Sequence, residues 1–136
     1  DAQLTIAQTV PVTGAVIVTT PQEVSVDDSR KGVEMFTKAD VDVAGIVENM
    51  SGFICPDCDE IHDVFGRGGG RRLAEETGVP FLGGVPLDPA VRTSSDEGEP
   101  IVVSDTESPA RDALIETAGA TREAVDELAK KQLPML

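Results

Sequence analysis

With 136 residues, of which 40% are hydrophobic and 3% aromatic, the chain can bury the core of one domain, and that core must be aliphatic. The formal net charge of −14 is spread along the sequence, which argues against non-specific nucleic-acid binding and is typical either of an ordinary acidic protein or of one adapted to a salt-rich cytoplasm. No apolar run approaches the length of a membrane span and no signal-peptide pattern opens the chain, so we expect a cytoplasmic protein without a membrane partner.

The first half of the sequence predicts helices and strands in alternation. Its β-branched runs are short and continuous, as in strands that are buried on both faces. The predicted elements are a helix that ends near Pro11, a strand at residues 14–20, a helix at 24–38 and a strand at 41–47.

The second half continues the alternation, with clear signals at the helix ends. Asp88 and Ser108 are good N-caps, and each is followed by a proline, which suits the first position of a helix. The predicted elements are a helix at 71–77 closed by Gly78, a strand at 81–85, a helix from Pro89 to Gly98, a strand or packed segment at 101–103, and a last helix from Pro109.

This order predicts an α/β fold with a parallel sheet and helices on both faces. Ligands of such sheets bind beyond the carboxyl ends of the strands. Asn49 follows one predicted strand and the segment Pro86, Leu87, Asp88 follows another. We therefore expect the chemistry of the protein at this edge of the sheet.

The only two cysteines, Cys55 and Cys58, lie in a loop after the second strand. Three interpretations compete: two ligands of a metal ion or an iron–sulfur cluster, a redox pair, or two small buried side chains. The flanking Pro, Asp and Glu residues are typical of an exposed loop, and no clear helical pattern follows, so the spacing favours a metal or a cluster. His62 is a further candidate ligand, or an ordinary solvated histidine.

A glycine-rich loop with three arginines covers residues 66–72. Backbone N–H groups in such a loop can hold a phosphate in front of a helix, but no Gly-Lys-Ser/Thr ends this loop, so it is not a P-loop. The alternative, which we favour, is a flexible segment that leads from the cysteine loop into the next helix.

Several ordered motifs together resemble the Mrp/ApbC family of P-loop ATPases, which carry iron–sulfur clusters. The resemblance covers nearly the whole chain. The motifs are Asn49-Met50-Ser51, Cys55-Pro56-x-Cys58, Phe65-Gly66-x-Gly68-Gly69, Val79-Pro80-Phe81-Leu82-Gly83, Pro86-Leu87-Asp88 and Asp96-x-Gly98-x-Pro100.

The resemblance implies the deviant-Walker, MinD-like branch of the P-loop NTPase fold. It also implies a homodimer formed through the cysteine loop, in which Cys55 and Cys58 of each subunit hold one bridging cluster, expected to be 4Fe-4S. The cluster would pass to apo iron–sulfur proteins as recipients.

The same resemblance implies a nucleotide site that uses ATP and magnesium. Asn49 would contact the adenine, and Pro86, Leu87 and Asp88 would form the wall of the base pocket. Nucleotide binding and hydrolysis would control the binding or transfer of the cluster.

The chain departs from the family pattern in one respect. The phosphate-binding Gly-Lys-Gly-Gly-Val-Gly-Lys-Ser motif is absent from residues 1–136, so we expect a single partial domain, the C-terminal half of such a protein, with an exposed sheet edge and without ATP hydrolysis by this chain alone. Two other functions stay open. One is a zinc-binding or thiol redox module that uses the same cysteines, and the other is a MinD/ParA-type positioning ATPase, against which the cysteine pair counts.

Overall fold

The computed structural model describes residues 1–133. The sheet of the protein is organised around one central strand, β2 (Val43–Ile54). The other strands are β1 (Ala15–Thr19), β3 (Ile61–His62) and β4 (Phe81–Leu87). The helices are α1 (Ala2–Thr9), α2 (Glu23–Lys38), α3 (Gly69–Thr77), α4 (Pro89–Asp96) and α5 (Pro109–Gln132), with a short 3-10 helix at Ile101–Val103.

Strand β2 pairs in parallel with β1 on one side and with β4 on the other. The short β3 runs antiparallel to the carboxyl end of β2. Five consecutive residues of β2, 44–48, are buried, because helices cover both faces of the sheet at its centre. The α/β fold with a mainly parallel sheet, predicted from the order of the elements, is thereby confirmed.

Aliphatic side chains form the core on both faces of the sheet. On one face, α2 and α3 pack against β1 and β2 around Ile17, Ile46 and Leu73. On the other face, α5 packs against Val47, Leu82 and Val85. The approach of α5 to β4 is close, because a Cβ atom added at Gly83 would overlap Oγ1 of Thr117.

The helix ends follow the local signals in the sequence. Asp88 caps α4 by accepting a hydrogen bond of 2.9 Å from the backbone N–H of Ala90. Ser108 caps α5 by accepting one of 3.0 Å from Ala110. Gly78 ends α3 in the left-handed conformation, with φ of 73°, which a glycine adopts without a steric penalty.

The sequence prediction was wrong about the end of the second strand, and of its two alternatives for residues 101–103, a strand or a packed segment, the structure has the packed segment. Strand β2 does not stop at residue 47 but continues to Ile54, through Met50 and Gly52, whose φ values are positive (54° and 83°). Met50 and Gly52 interrupt the pairing with β4 and the alternation of side chains. Residues 48–54 therefore lack the sequence pattern that is typical of a strand. Residues 101–103 form a 3-10 helix in which only Ile101 is buried.

Within residues 1–133, β1 pairs only with β2, as expected of an edge strand. Val18 on this strand is 61% exposed. None of the helices in that part of the chain combines the length and the apolar character that a membrane crossing requires.

Candidate functional site

The two cysteines lie at the tip of a β-hairpin that the sequence prediction missed. Strands β2 and β3 pair in antiparallel register, with Ile54 opposite Ile61 and Phe53 opposite His62. The turn is closed by two backbone hydrogen bonds, Cys55 N–H to the Glu60 carbonyl (3.0 Å) and Asp59 N–H to the Cys55 carbonyl (2.9 Å). The cysteine loop is therefore a folded turn on the end of the central strand.

The hairpin brings three metal-binding side chains together. Cys55 Sγ, Cys58 Sγ and a ring nitrogen of His62 all lie within 4.8 Å of one another. The distance between Cys58 Sγ and His62 Nε2 is 3.5 Å. Cys58 and His62 are exposed, and Cys55 is half-buried.

Both cysteines are free thiols, and the turn itself favours the thiolate of Cys55. The backbone N–H groups of Asp57 and Cys58 and then the Cys58 thiol bond to the Cys55 sulfur and lower the pKa of the Cys55 thiol. Since the thiolate is the form that binds metals, the turn prepares Cys55 as a ligand. Two soft sulfur donors and an imidazole at an accessible hairpin tip suit zinc, iron or an iron–sulfur cluster, so this donor set fits the predicted cargo.

A cavity of about 350 Å³ lies next to the middle of β2. Such a volume falls in the range of about 300–1,000 Å³ found for small-molecule pockets. The residues predicted to contact adenine, Asn49, Pro86, Leu87 and Asp88, all line it. Its remaining lining residues are Met50, Val85, Val91, Arg92 and Leu114.

Asn49 is exposed, and its side chain is oriented by the backbone. Its Oδ1 accepts a hydrogen bond of 2.9 Å from the Met50 N–H. An amide oxygen can accept a second hydrogen bond, and the amide nitrogen has two donors, so this side chain can still form a bidentate contact with a base.

Asp88, in contrast, uses its carboxylate inside the protein. One oxygen caps α4, and the other accepts a hydrogen bond from the Ser108 hydroxyl. Ser108 in turn caps α5. Each oxygen of Asp88 thus accepts one hydrogen bond inside the protein, and its side chain joins the N-termini of two helices.

Glu48 is the site residue that the sequence analysis did not identify. Its side chain is 1% exposed, and its two carboxylate oxygens accept hydrogen bonds from the Ser51 hydroxyl, from Gly68 N–H (3.1 Å) and from Gly70 N–H (2.8 Å). Glutamate is almost never fully buried unless it is paired. The available signal was the position of Glu48 itself, because this acidic residue directly follows the five apolar or small residues 43–47 of the predicted buried strand.

The contacts of Glu48 also decide between the two interpretations of the glycine-rich loop. The N–H groups of Gly68 and Gly70 bind a carboxylate of the protein and are therefore not directed at an external phosphate. The loop leads into α3, as favoured from the sequence, but Glu48 fastens it to the central strand, which differs from the flexible segment that was expected. The segment after the hairpin is held further by an ion pair of 2.8 Å between Arg67 and Asp63.

A family model described as NUBPL iron-transfer P-loop NTPase, of the ParA group, matches residues 1–121. The chain is 53% identical over 106 residues to an iron-sulfur cluster carrier protein of Methanocaldococcus jannaschii, covering 77% of this chain and 37% of that protein. It is 56% identical over 115 residues to the iron-sulfur cluster carrier protein of Synechocystis sp., covering 84% and 33%. The chain thus spans about a third of the length of these curated relatives.

Solved structures agree with the fold. A nucleotide-binding protein from Archaeoglobus fulgidus, in complex with ADP and with Co, superimposes with a TM-score of 0.63 at 40% identity, covering 72% of this chain and 40% of the other. The cell division ATPase MinD of Pyrococcus furiosus superimposes with a TM-score of 0.64 at 25% identity, covering 82% and 43%. The matched family model and the relatives confirm the resemblance found in the motifs, and the chain belongs to the NUBPL iron-transfer P-loop NTPase family.

Proposed function

We propose that this chain binds an iron–sulfur cluster through Cys55 and Cys58 and passes it to apo iron–sulfur proteins. The observation that carries the proposal is the pair of free thiols at an accessible hairpin tip, with their sulfurs within 4.8 Å of each other. Relatives at about 50% identity are named iron-sulfur cluster carrier proteins, and one from Dictyostelium discoideum is named an iron-sulfur cluster transfer protein. A cargo that has to leave again requires such an accessible site.

The cluster that we propose is of the 4Fe-4S type and bridges two chains. A cluster of this type is normally held by four cysteine thiolates, and one chain supplies two. Two copies related by a two-fold axis would supply four equivalent thiolates, which makes a homodimer through the hairpin tip the simplest assembly. Two cysteines in this spacing do not resemble the disulfide framework of a secreted module, so we propose that the protein works in the cytoplasm.

We further propose that the cavity beside β2 is the base end of an ATP site. Support comes from the lining by Asn49 and the segment Pro86, Leu87, Asp88, and from the Archaeoglobus fulgidus structure with ADP. Residues 1–136 contain no phosphate-binding lysine loop, so the phosphates and magnesium would require residues from elsewhere, and we attribute no hydrolysis to these residues alone. Since β2 carries Asn49 and leads directly into Cys55, a shift of this strand on nucleotide binding would reach the cluster loop.

The experiment is anaerobic reconstitution with iron and sulfide, followed by visible absorption, metal and sulfide analysis, and light scattering. We expect a cluster and a dimer in the wild-type chain, and neither in Cys55→Ser or Cys58→Ser, because two thiolates per dimer are then missing. Glu60→Gln, an exposed change in the same turn, is the matched control and should behave as wild type. Stoichiometric iron and sulfide in a double Cys→Ser variant would overturn the proposal.

A further inference from the structure

His62 is the only histidine of the chain, and the proposed bridging cluster leaves it without a function. One ring nitrogen of His62 lies within 4.8 Å of the sulfur atoms of both cysteines. We propose that a single chain binds one divalent metal ion of tetrahedral preference, such as Zn²⁺, through Cys55 Sγ, Cys58 Sγ and His62 Nε2, with the fourth position open. This site goes beyond the proposed function, because it requires neither a second chain nor sulfide.

The distances fit such an ion. Zinc binds sulfur at about 2.3 Å and imidazole nitrogen at about 2.0–2.1 Å, so at a tetrahedral angle the sulfur and nitrogen lie about 3.6 Å apart. Cys58 Sγ and His62 Nε2 are 3.5 Å apart. The two sulfurs would need to be about 3.8 Å apart, and they lie within 4.8 Å, so a small rotation of a side chain completes the triangle.

The backbone holds the three ligands in this arrangement. His62 is opposite Phe53 in the antiparallel ladder. Cys55 follows Phe53 by two positions, directly after the end of β2, where its N–H bonds to the Glu60 carbonyl and continues the ladder. Side chains two positions apart share a face of the ladder, and such diagonal neighbours are within reach of one another. Cys58 is returned toward this face by the turn that the Asp59 N–H closes onto the Cys55 carbonyl.

The chemistry of the donor set defines the class of ligand. Two thiolates and one imidazole favour zinc and the ions that replace it, and disfavour magnesium and calcium, which prefer oxygen. Sites with three protein ligands keep one position for water or an exchanging group. An ion held here would occupy both thiols, so it would compete with the cluster for the hairpin tip.

Anaerobic titration of the whole chain with Co²⁺, the spectroscopic substitute for Zn²⁺, tests the proposal. We expect one Co²⁺ per chain, a monomer at saturation, and the intense visible bands of tetrahedral Co²⁺ with thiolate ligands. His62→Ala should weaken Co²⁺ binding by at least about 10-fold, the loss seen even for partners outside the first coordination sphere, and should shift the bands. Glu60→Gln should leave the affinity and the spectrum unchanged, and circular dichroism should show that both variants are folded.

Two results would overturn the proposal: an unchanged Co²⁺ affinity and spectrum in His62→Ala, or binding of one Co²⁺ per two chains with dimerisation. X-ray absorption at the cobalt edge gives an independent readout, in which wild type should show two sulfur neighbours with at least one nitrogen. The proposed cluster is tested separately, because it uses only thiolates and His62→Ala should still accept it. If His62→Ala loses Co²⁺ binding but keeps the cluster, both proposals are supported. If the wild-type chain binds Co²⁺ but no cluster, only the proposal of a bridging cluster is overturned.

Discussion

The carboxylate of Glu48, which is 1% exposed, accepts a hydrogen bond of 2.8 Å from the backbone N–H of Gly70, the second residue of α3. This contact joins the central strand to the start of a helix at a point where the helix N–H groups have no partner inside the helix. The negative charge also lies at the positive end of the helix dipole. The Ser51 hydroxyl binds the same carboxylate, so one buried side chain connects α3 with the part of β2 that leads to the cysteines.

We predict that Glu48→Ala destabilises the fold by about 2–3 kcal/mol, because it leaves buried N–H groups without an acceptor. Glu48→Gln should lose less, since one oxygen remains as an acceptor. Chemical denaturation measures both variants. Glu75→Ala, at an exposed glutamate of α3, is the control and should change the free energy of unfolding by less than about 0.5 kcal/mol. A Glu48→Ala variant as stable as this control would show that water replaces the carboxylate at no cost.

The contacts of Glu48 illustrate which features the sequence could not predict. Its partners Gly68 and Gly70 are about twenty positions away in the chain, and no local pattern indicates that they meet. The hairpin was missed for a similar reason. Strand β3 has only two residues, and the positive φ values of Met50 and Gly52 hide the continuation of β2.

The features that could be predicted depend on local chemistry. The caps at Asp88 and Ser108 are signalled by a capping residue followed by proline, and both form as expected. The strand at residues 14–20 and the helix at 24–38 follow from runs and periodicities within the segment itself. The cysteine spacing indicated a metal or cluster site, but the position of His62 beside the thiols depends on strand pairing.

A second prediction concerns two glycines in neighbouring elements. Gly83→Ala should destabilise the fold by about 1–3 kcal/mol, because the new Cβ would overlap the Thr117 hydroxyl where α5 packs on β4. Gly119→Ala, on α5, should stabilise by about 0.5–1 kcal/mol, because its Cβ would meet nothing within 4 Å and alanine favours the helix. Thermal or chemical unfolding measures the stability of both variants. If the two substitutions changed the free energy of unfolding in the same direction, the packing of α5 described above would be contradicted.

A third prediction concerns salt. The chain has 25 acidic and 11 basic residues, and every ion pair found within residues 1–133 has at least one partner more than half exposed. Such exposed ion pairs contribute little to the stability of the fold, so they do not offset the repulsion among the carboxylates. The midpoint of thermal unfolding should rise as KCl is increased from low to molar concentration. This salt-dependent rise of the midpoint should become smaller as the pH approaches 4.2, the isoelectric point. A midpoint that stays constant or falls with added KCl at pH 7 would contradict salt adaptation.

The last prediction concerns nucleotide binding by the chain itself. The proposed base pocket has Asn49 and the segment Pro86, Leu87, Asp88, but residues 1–136 contain no Gly-Lys-Ser/Thr loop, so they lack its lysine for the phosphates and its Ser/Thr for magnesium. Most of the affinity of P-loop proteins for ATP comes from the phosphates and the magnesium ion. The 136-residue chain should therefore bind ATP no more tightly than about 1 mM, about 4 kcal/mol, and magnesium should not improve the binding.

In a protein that joins this chain to a phosphate-binding loop, ATP binding should be tight, and Asn49→Ala should reduce the preference for ATP over GTP. The physical reason is that an asparagine amide can pair with both N6 and N7 of adenine, whereas guanine has an acceptor in place of the N6 donor. Calorimetry with both nucleotides tests this, and Gln8→Ala on the exposed face of α1 is the control. Micromolar ATP binding by the 136-residue chain alone would show that the phosphates bind within it. The smaller cavity of about 210 Å³ lined by Arg67 and Arg71 would then be the first position to test, because it offers two guanidinium groups next to the start of α3.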